Sequence, residues 1–330
     1  MKRAYYILNN GRLKRKDNTV CVESNGVRKY IPINDVESIY VFGELDFNTK
    51  ALNFLAHNNV TVHLFNYYGF YTSSLYPREY LPSGFSLVNQ VKKYVDKEER
   101  LKIAKEIIST ASYNILKNLK YYNPRRNNKL EDLILHIEKE REKIPTITDI
   151  QDLMGTEGRI RDLYYSAFNI ITKGKFKIKK RVKRPPDNPM NTLISFGNSL
   201  LYATVLTEIY HTQLNPTISF LHEPGERRFS LSLDISEVFK PIIVDRVIFK
   251  LINEGMIDES HFTEELNFCH LNEKGRKVFL KQFEEKLNTT IKHKDLGREI
   301  SYKRLIRLEC YKLIKHINDI KEYNGLKMWW

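Results

Sequence analysis

Side chains that could handle phosphate are concentrated in one stretch of the sequence, SFLHEPGERRFSLSLDISEVFKPIIVDR, at residues 219–246. His222, Asp234 and Glu237 supply the nitrogen and oxygen donors that divalent metals use in proteins. Two adjacent arginines lie between them, and the planar guanidinium group pairs well with phosphate. The stretch therefore raises two possibilities: a metal site with cations for a phosphate substrate, or ordinary surface charges.

Each of these side chains also has a simpler interpretation. Asp234 and Glu237 stand three residues apart before an apolar run, which is the pattern of a helix N-cap and its capping-box partner. His222 follows the apolar letters ISFL, where a structural histidine is common, and Arg227 and Arg228 could belong to a solvated turn. Taken one at a time, these residues favour structural roles.

A second segment, LMGTEGRIRDLYYSAF, places Glu157 between two glycines at the start of a predicted helix. Arg161 follows four residues later and Tyr164 seven residues later, on the same helical face. The pair of Glu157 and Arg161 could be a surface ion pair of small energy. A small-residue opening with a carboxylate, arginines and tyrosines would also suit a site for backbone phosphates.

A third segment, KGKFKIKKRVKRPPDNP, carries eight basic residues and no acidic one between positions 173 and 184. Because charges this dense repel one another, the segment is expected to be exposed and flexible. It predicts an electrostatic docking strip for a nucleic-acid backbone, with Lys177, Lys180, Arg181 and Arg184 as candidate contacts. The alternative is a solvated linker between helices.

The composition of the whole chain agrees with a polyanionic partner. The 330 residues carry a formal net charge of +14 and a pI of about 9.4, which favours nucleic acid or an anionic membrane surface as a partner. No run of about 18 apolar residues predicts a membrane span, and the N-terminus turns polar too early for a secretory signal. The three dispersed cysteines fit a reducing cytoplasm.

The local patterns that must position these segments predict an α+β protein. Residues 1–80 form a small, sandwich-like β domain with one helix at NTKALNFLAHN, and 81–95 form a linker and the start of the first long helix. Residues 96–330 form a larger all-α domain, which contains the three segments described above and is the candidate catalytic and DNA-binding domain. The strands are predicted at AYYILN, TVCVES, RKYIPI, ESIYVF, VTVHLF and YTSSLY, and further helices at about 129–141, 147–172, 189–214, 235–254, 273–290 and 299–320.

Three motifs in a fixed order identify a family. GTEGRIRDLYYSAF, RPPDNPMNTLISFGNSLLY and NPTISFLHEPGERRFSLSLDISEVFKPIIVDR together resemble the CRISPR-associated integrase family that captures new spacers, the universal nuclease of the adaptation machinery. The N-terminal segment GELDFNTKALNFLAHNNVTVHLFNYYG resembles the β domain of that family. The resemblance covers nearly the whole chain, and the wording of the motifs is most similar to members attached to type I systems.

The resemblance implies a catalytic metal site. Glu157, His222 and Glu237 match the family's ligands for Mg²⁺ or Mn²⁺, and Asp234 matches the acidic position beside them, which helps to orient the site. Many relatives have aspartate where this chain has Glu237, so the reach of that ligand differs here.

The resemblance also implies the reaction and the partners. The 3′-hydroxyl of a captured DNA fragment would attack a phosphodiester at the edge of a CRISPR repeat, with Arg161, Arg227 and Arg228 on phosphates and Tyr164 or Tyr165 lining the site. The expected partners are double-stranded DNA (the prespacer and the repeat), a second copy bound through the β domain, and a small ferredoxin-like adaptation protein. The alternatives are an architectural DNA-binding protein without catalysis and a generic repair nuclease.

Overall fold

The computed structural model describes residues 2–183, 185–225, 229–265, 268–293 and 296–329. It divides into two compact units, Met1–Pro82 and Ser83–Trp330, and the boundary lies within the predicted linker. Three predicted phosphate contacts, Arg184, Arg227 and Arg228, lie outside the described residues.

The N-terminal unit contains two four-stranded sheets. One has the order β1 (Arg3–Ile7), β5 (Val36–Val41), β7 (Thr61–Phe65) and β8 (Tyr71–Leu75), with only the last pair antiparallel. The other has the order β4 (Val27–Pro32), β3 (Thr19–Ser24), β2 (Gly11–Lys16) and β6 (Leu45–Phe47), in which β2 and β6 are parallel and the other pairs antiparallel.

Both sheets contribute to one hydrophobic core. Leu13 and Val20 from one sheet and Ile39 and Val62 from the other belong to the same buried cluster, together with Leu55 of the helix α1 (Thr49–His57). This packing buries the apolar face of each sheet, which is what holds a small β domain together.

The C-terminal unit is mainly helical, and the predicted order of a β domain followed by a larger helical domain is confirmed. Two small antiparallel strand pairs within it were not predicted: β9 (Phe262–Glu265) with β10 (Phe268–Leu271), and β11 (Thr290–Lys292) with β12 (Glu299–Ser301). The helices are α2 (Gly84–Val95), α3 (Lys97–Tyr122), α4 (Glu131–Glu142), α5 (Ile150–Ile171), α6 (Pro189–Tyr210), α7 (Ser230–Phe239), α8 (Arg246–Asn253), α9 (Glu273–Asn288) and α10 (Tyr302–Ile317).

Two predicted helices are each divided in the structure. The first long helix is interrupted at Asp96, whose side chain accepts hydrogen bonds from the backbone N–H groups of Glu98 and Glu99 and thereby starts α3. The helix predicted at 235–254 contains a π-helical turn at Pro241–Asp245, because proline lacks the N–H group that would continue the α-helical ladder.

Nearly every residue of α6 and every residue of α7 is buried. Helix α6 packs against α7, while α5 packs against α3 and α4. These contacts fix the two helices, α5 and α7, that carry the acidic candidates. Within the described ranges, no helix combines the length and apolarity needed to cross a membrane.

Candidate functional site

The carboxylates of α5 and α7 meet at one arginine. Arg161 lies one turn after Glu157 on α5, and its Nε donates a hydrogen bond to Glu157 Oε1 at 3.2 Å. A terminal nitrogen of the same guanidinium group donates to Glu237 Oε2 on α7. The Arg161 side chain is 10% exposed, so a buried cation links the two predicted metal ligands.

Glu237 has a second cation one turn along its own helix. Lys240 Nζ donates to Glu237 Oε1, and the Glu237 side chain is only 5% exposed. Burial alone would raise the pKa of Glu237, but the charges of Lys240, Arg161 and His222 outweigh burial and hold this pKa well below its usual value. Glu237 is therefore ionised although it is buried.

The fully buried Asp234 organises the loop that carries His222. Its Oδ2 accepts the backbone N–H groups of Phe220 (2.7 Å) and Leu221 (2.9 Å), and its Oδ1 accepts the backbone N–H (3.0 Å) and Nδ1 (2.8 Å) of His222. The predicted N-cap role of Asp234 is wrong, because α7 begins at Ser230 and the carboxylate serves the loop instead.

The contact with Asp234 also fixes the state of the histidine ring. An ionised carboxylate can only accept hydrogen bonds, so the hydrogen lies on Nδ1 of His222 and Nε2 is left for another ligand. Burial opposes protonation of the ring, yet the hydrogen bond to Asp234 and the charges of Asp234 and Glu237 outweigh it and raise the pKa of His222. The imidazole ring of His222 and the carboxylate of Glu237 are therefore close enough to shift each other's pKa.

The carboxylate oxygens and the imidazole nitrogen are suitable ligands for a hard divalent cation, but they are not arranged around a common point. Across the described part of the chain, no group of three or more His, Cys, Asp or Glu side chains is close enough to hold a metal as the side chains stand. The structure brings Glu157 and Glu237 onto Arg161 and places His222 near Glu237. In this structure the two carboxylates of the predicted site are therefore paired with the side chains of Arg161 and Lys240.

Two predicted DNA contacts need correction. Tyr164 is fully buried, and its hydroxyl accepts a hydrogen bond from Asn118 Nδ2 at 2.9 Å, so it faces the core and cannot line a DNA surface. Arg161 is buried and committed to Glu157 and Glu237, so its guanidinium group does not face a phosphate in this structure.

Two residues near the site were not predicted. Lys240 follows Glu237 by three residues, a spacing that could have identified it as a partner. Asp245, at the end of the π-helical turn, is 2% exposed, and burial raises its pKa to about 7 against the opposing charge of Arg161 and a hydrogen bond from Tyr164. No local pattern in the sequence would have identified Asp245, because its partners come from another helix.

The basic segment is anchored rather than loose. Lys177 and Lys180 are exposed, as a docking strip requires, but Ile178 between them is buried. The half-buried Arg181 donates to Asn191 Oδ1 at 3.1 Å, and Asn191 Nδ2 donates to the Lys180 carbonyl at 3.0 Å. Arg181 is therefore a tether to α6, which corrects its assignment as a DNA contact.

The structure has a β unit of two sheets followed by a helical unit, and acidic residues of α5 and α7 meet in the helical unit. Comparison with known proteins shows which class of protein has this architecture. The family model described as CRISPR associated protein Cas1 matches residues 5–285. The chain belongs to the Cas1 family.

Several Cas1 proteins resemble the chain over its full length. It is 52% identical over 329 residues to CRISPR-associated endonuclease Cas1 3 of Thermodesulfovibrio yellowstonii, covering 99% of this chain and 100% of the relative. It is 49% identical to CRISPR-associated endonuclease Cas1 of Clostridium perfringens, with full coverage of both chains. The solved structure of a Cas1 protein from Thermotoga maritima superposes with a TM-score of 0.89 at 41% identity, covering 98% of this chain and 100% of that one.

A more distant structure shares the fold alone. A casposase bound to an integration product superposes with a TM-score of 0.87 at 21% identity, covering 99% of this chain and 93% of that one.

Proposed function

We propose that this chain is a divalent-metal-dependent DNA integrase and endonuclease, which inserts captured DNA fragments into a CRISPR array. The observation that carries the proposal is the meeting of Glu157 and Glu237, from two different helices, on one buried guanidinium group beside His222. Burying a carboxylate is costly, and Glu237 is only 5% exposed, so a site that keeps it ionised beside Glu157 points to function. The names of the Cas1 endonuclease relatives support the same reading.

The residues that would hold Mg²⁺ or Mn²⁺ are Glu157, Glu237 and His222 through its Nε2. A bound ion would polarise the scissile phosphate and make the attacking hydroxyl easier to deprotonate. Asp234 keeps the hydrogen on Nδ1 and fixes the ring, as carboxylates behind metal-binding histidines commonly do. Because Arg161 occupies both carboxylates, metal binding requires that its guanidinium group move aside.

The proposed reaction exchanges one phosphodiester for another. The 3′-oxygen of the captured fragment forms a bond to phosphorus, the bond from phosphorus to the 3′-oxygen of the repeat-edge strand breaks, and that oxygen leaves with a proton. No bond to the protein is formed. When water replaces the hydroxyl, the same steps give hydrolysis.

The proposed partners follow from surface charge and from the family. Lys177 and Lys180 are exposed and would contact backbone phosphates without reading sequence. A second copy bound through the β unit, prespacer and repeat DNA, and a small ferredoxin-like protein complete the proposed assembly. The structure of a casposase on its integration product supports DNA as the substrate of this fold. Association with a type I system and a cytoplasmic location stay predictions.

A strand-transfer assay tests the proposal. The full chain is incubated with a fragment that has a free 3′-hydroxyl and a plasmid that carries the repeat, with Mn²⁺ or with a chelator. We expect Glu157→Gln to lose joined product and Asp162→Asn, an exposed site on the same helix, to keep it. Joining that survives both the chelator and Glu157→Gln would refute the metal mechanism. Duplex binding without joining by the wild type would favour an architectural protein.

A further inference from the structure

A cavity of about 430 Å³ lies among the C-terminal part of α3, helix α8 and the C-terminal part of α9, and we call it the α3–α8–α9 cavity. Five of its lining residues are basic and two are acidic. One of the acids, Glu285, lies 3.9 Å from Lys250. Its volume is in the range of small-ligand sites.

One of the arginines has a structural task. Arg126 donates twice to the carbonyl oxygen of Ile171 at the end of α5, at 2.9 and 2.6 Å, and once to Asn253 Oδ1 at 3.1 Å. The remaining three cations are Arg125, Arg246 and Lys286.

These three cations are held against tyrosine rings. Arg125 and Arg246 place their guanidinium carbons 3.9 and 4.4 Å from the ring centroid of Tyr121, and Lys286 Nζ lies 3.6 Å from that of Tyr302. A ring attracts a cation without neutralising its charge. The rings therefore orient the positive groups, and the charges of Arg125 and Lys286 can still attract an anion.

The surroundings of Lys286 disfavour its charged form. Burial and the nearby charge of Arg246 lower the pKa of Lys286 to about 7. In the part of the chain that the structure describes, no carboxylate forms an ion pair with Lys286. A half-buried ammonium group without a carboxylate partner is less stable than a paired one, and an anion bound in the cavity would stabilise it.

A buried acceptor completes the lining. Gln282 is 8% exposed, and no donor among the described residues bonds its Oε1. An amide oxygen left in this state normally has a ligand or water as its partner. The cavity thus offers several cations for an anion and one acceptor for a hydroxyl or amine on the same molecule.

We propose that the α3–α8–α9 cavity binds a phosphate group carried by a nucleotide, either free or at the terminus of a DNA strand. Arginine and lysine are the side chains that recognise phosphate, and a recessed pocket admits a terminal group more readily than the middle of a duplex. Gln282 Oε1 would accept from a sugar hydroxyl or a base amine.

The cavity is separate from the carboxylate site. Arg126, on its wall, binds Ile171, which follows Glu157 by 14 residues on the same helix. At 1.5 Å per residue this is a distance of roughly 21 Å along α5. The inference therefore does not rest on metal binding by Glu157.

Titration calorimetry of the full chain tests the proposal with four probes: inorganic phosphate, AMP, and two single-stranded oligonucleotides that differ only in a 5′-phosphate. We expect the 5′-phosphorylated strand to bind more tightly than the unphosphorylated strand, and AMP and inorganic phosphate to bind measurably. Binding of AMP together with equal binding of the two strands would assign a free nucleotide, and a preference for the phosphorylated strand without binding of AMP would assign a DNA terminus. Equal binding of both oligonucleotides together with no binding of AMP would overturn the proposal.

Variants assign the binding to the cavity. Arg125→Gln and Lys286→Met should each weaken binding of the preferred probe roughly tenfold, as expected for loss of one charged hydrogen bond. The matched control is Lys281→Gln, an exposed position on the same helix, which should bind as the wild type does. Cavity variants that bind as tightly as this control would overturn the proposal.

A second measurement separates binding from structural support. Because Lys286 is disfavoured by burial, Lys286→Met should have a melting temperature no lower than that of the wild type. If that variant fails to fold, the exposed Arg125→Gln still decides the question. Glu157→Gln should keep phosphate binding while losing strand transfer, so failure of the proposed catalysis and failure of this site are distinguishable.

Discussion

Replacing Arg161 by methionine should destabilise the protein in a way that a divalent metal repairs. Arg161→Met keeps an unbranched side chain in the buried position and removes the charge that links Glu157 to Glu237. Glu237 is 5% exposed and would then have only Lys240 as a close cation. Removing one partner of a buried ion pair costs roughly 3–5 kcal/mol, and because Lys240 remains we expect the lower end, about 3 kcal/mol.

The free-energy cost of losing Arg161 also determines the expected change in metal affinity. In the wild type, an ion that binds Glu157 and Glu237 must displace Arg161 and so loses the energy of that contact. In Arg161→Met the competitor is gone. A difference of about 3 kcal/mol corresponds to roughly 100-fold tighter binding, as an upper bound, because the displaced guanidinium group regains some hydration.

Urea unfolding with and without Mn²⁺ measures both quantities. Without metal, Arg161→Met should unfold at lower urea than the wild type, and Mn²⁺ should shift its midpoint further than it shifts that of the wild type. The control is Arg159→Met, because Arg159 is half exposed on the same helix and pairs with Glu140, so its loss should cost well under about 1 kcal/mol. Equal Mn²⁺ shifts in Arg161→Met and the wild type would refute the idea that Arg161 occupies the position of the metal.

Three further outcomes are expected. His222→Ala should reduce strand transfer at least roughly 100-fold while duplex affinity stays within a few-fold, since phosphate contacts come from lysine and arginine; a normal joining rate in Mn²⁺ would contradict this. Replacing Lys177, Lys179 and Lys180 together by glutamine should make the slope of log affinity against log salt less negative by up to about 2.7, for repeat and random duplexes alike; an unchanged slope would remove the segment from the DNA surface. Asp245→Asn should stabilise the protein at pH 8 by up to about 4 kcal/mol relative to its effect at pH 4, because the raised pKa makes the wild type lose stability between pH 4 and 7; equal effects in urea unfolding at both pH values would contradict it.

The sequence patterns predicted the elements that form from local signals. Strands with several β-branched or aromatic residues were found, whereas β2 was missed because GRLKRK has Leu13 as its one fully buried side chain. That strand forms because both of its neighbours pair with it, which no local window contains. Helix periodicity was similarly reliable, but the break at Asp96 required recognising one capping side chain in a long helical pattern.

The sequence predicted which residues belong to the candidate site, but it did not predict how their side chains contact one another. Helical spacing correctly placed Glu157 and Arg161 on one face of α5. The same spacing could not show that Tyr164 faces the core or that Arg161 reaches Glu237, 76 residues away in the chain. Those facts depend on how α3 packs against both α5 and α7, and tertiary packing decides which face of a helix is buried.

Charge balance explains why the two sites are expected to bind opposite ions. Burial makes an unpaired Glu237 costly, so Arg161 and Lys240 neutralise it, and Arg161 also pairs with the half-buried Glu157. A divalent cation could take over that task. In the α3–α8–α9 cavity the imbalance is reversed, since five cations face two acids and Lys286 is held by a ring rather than by a carboxylate. An anion that arrives from outside would balance this charge, and phosphate is the anion that arginine and lysine recognise.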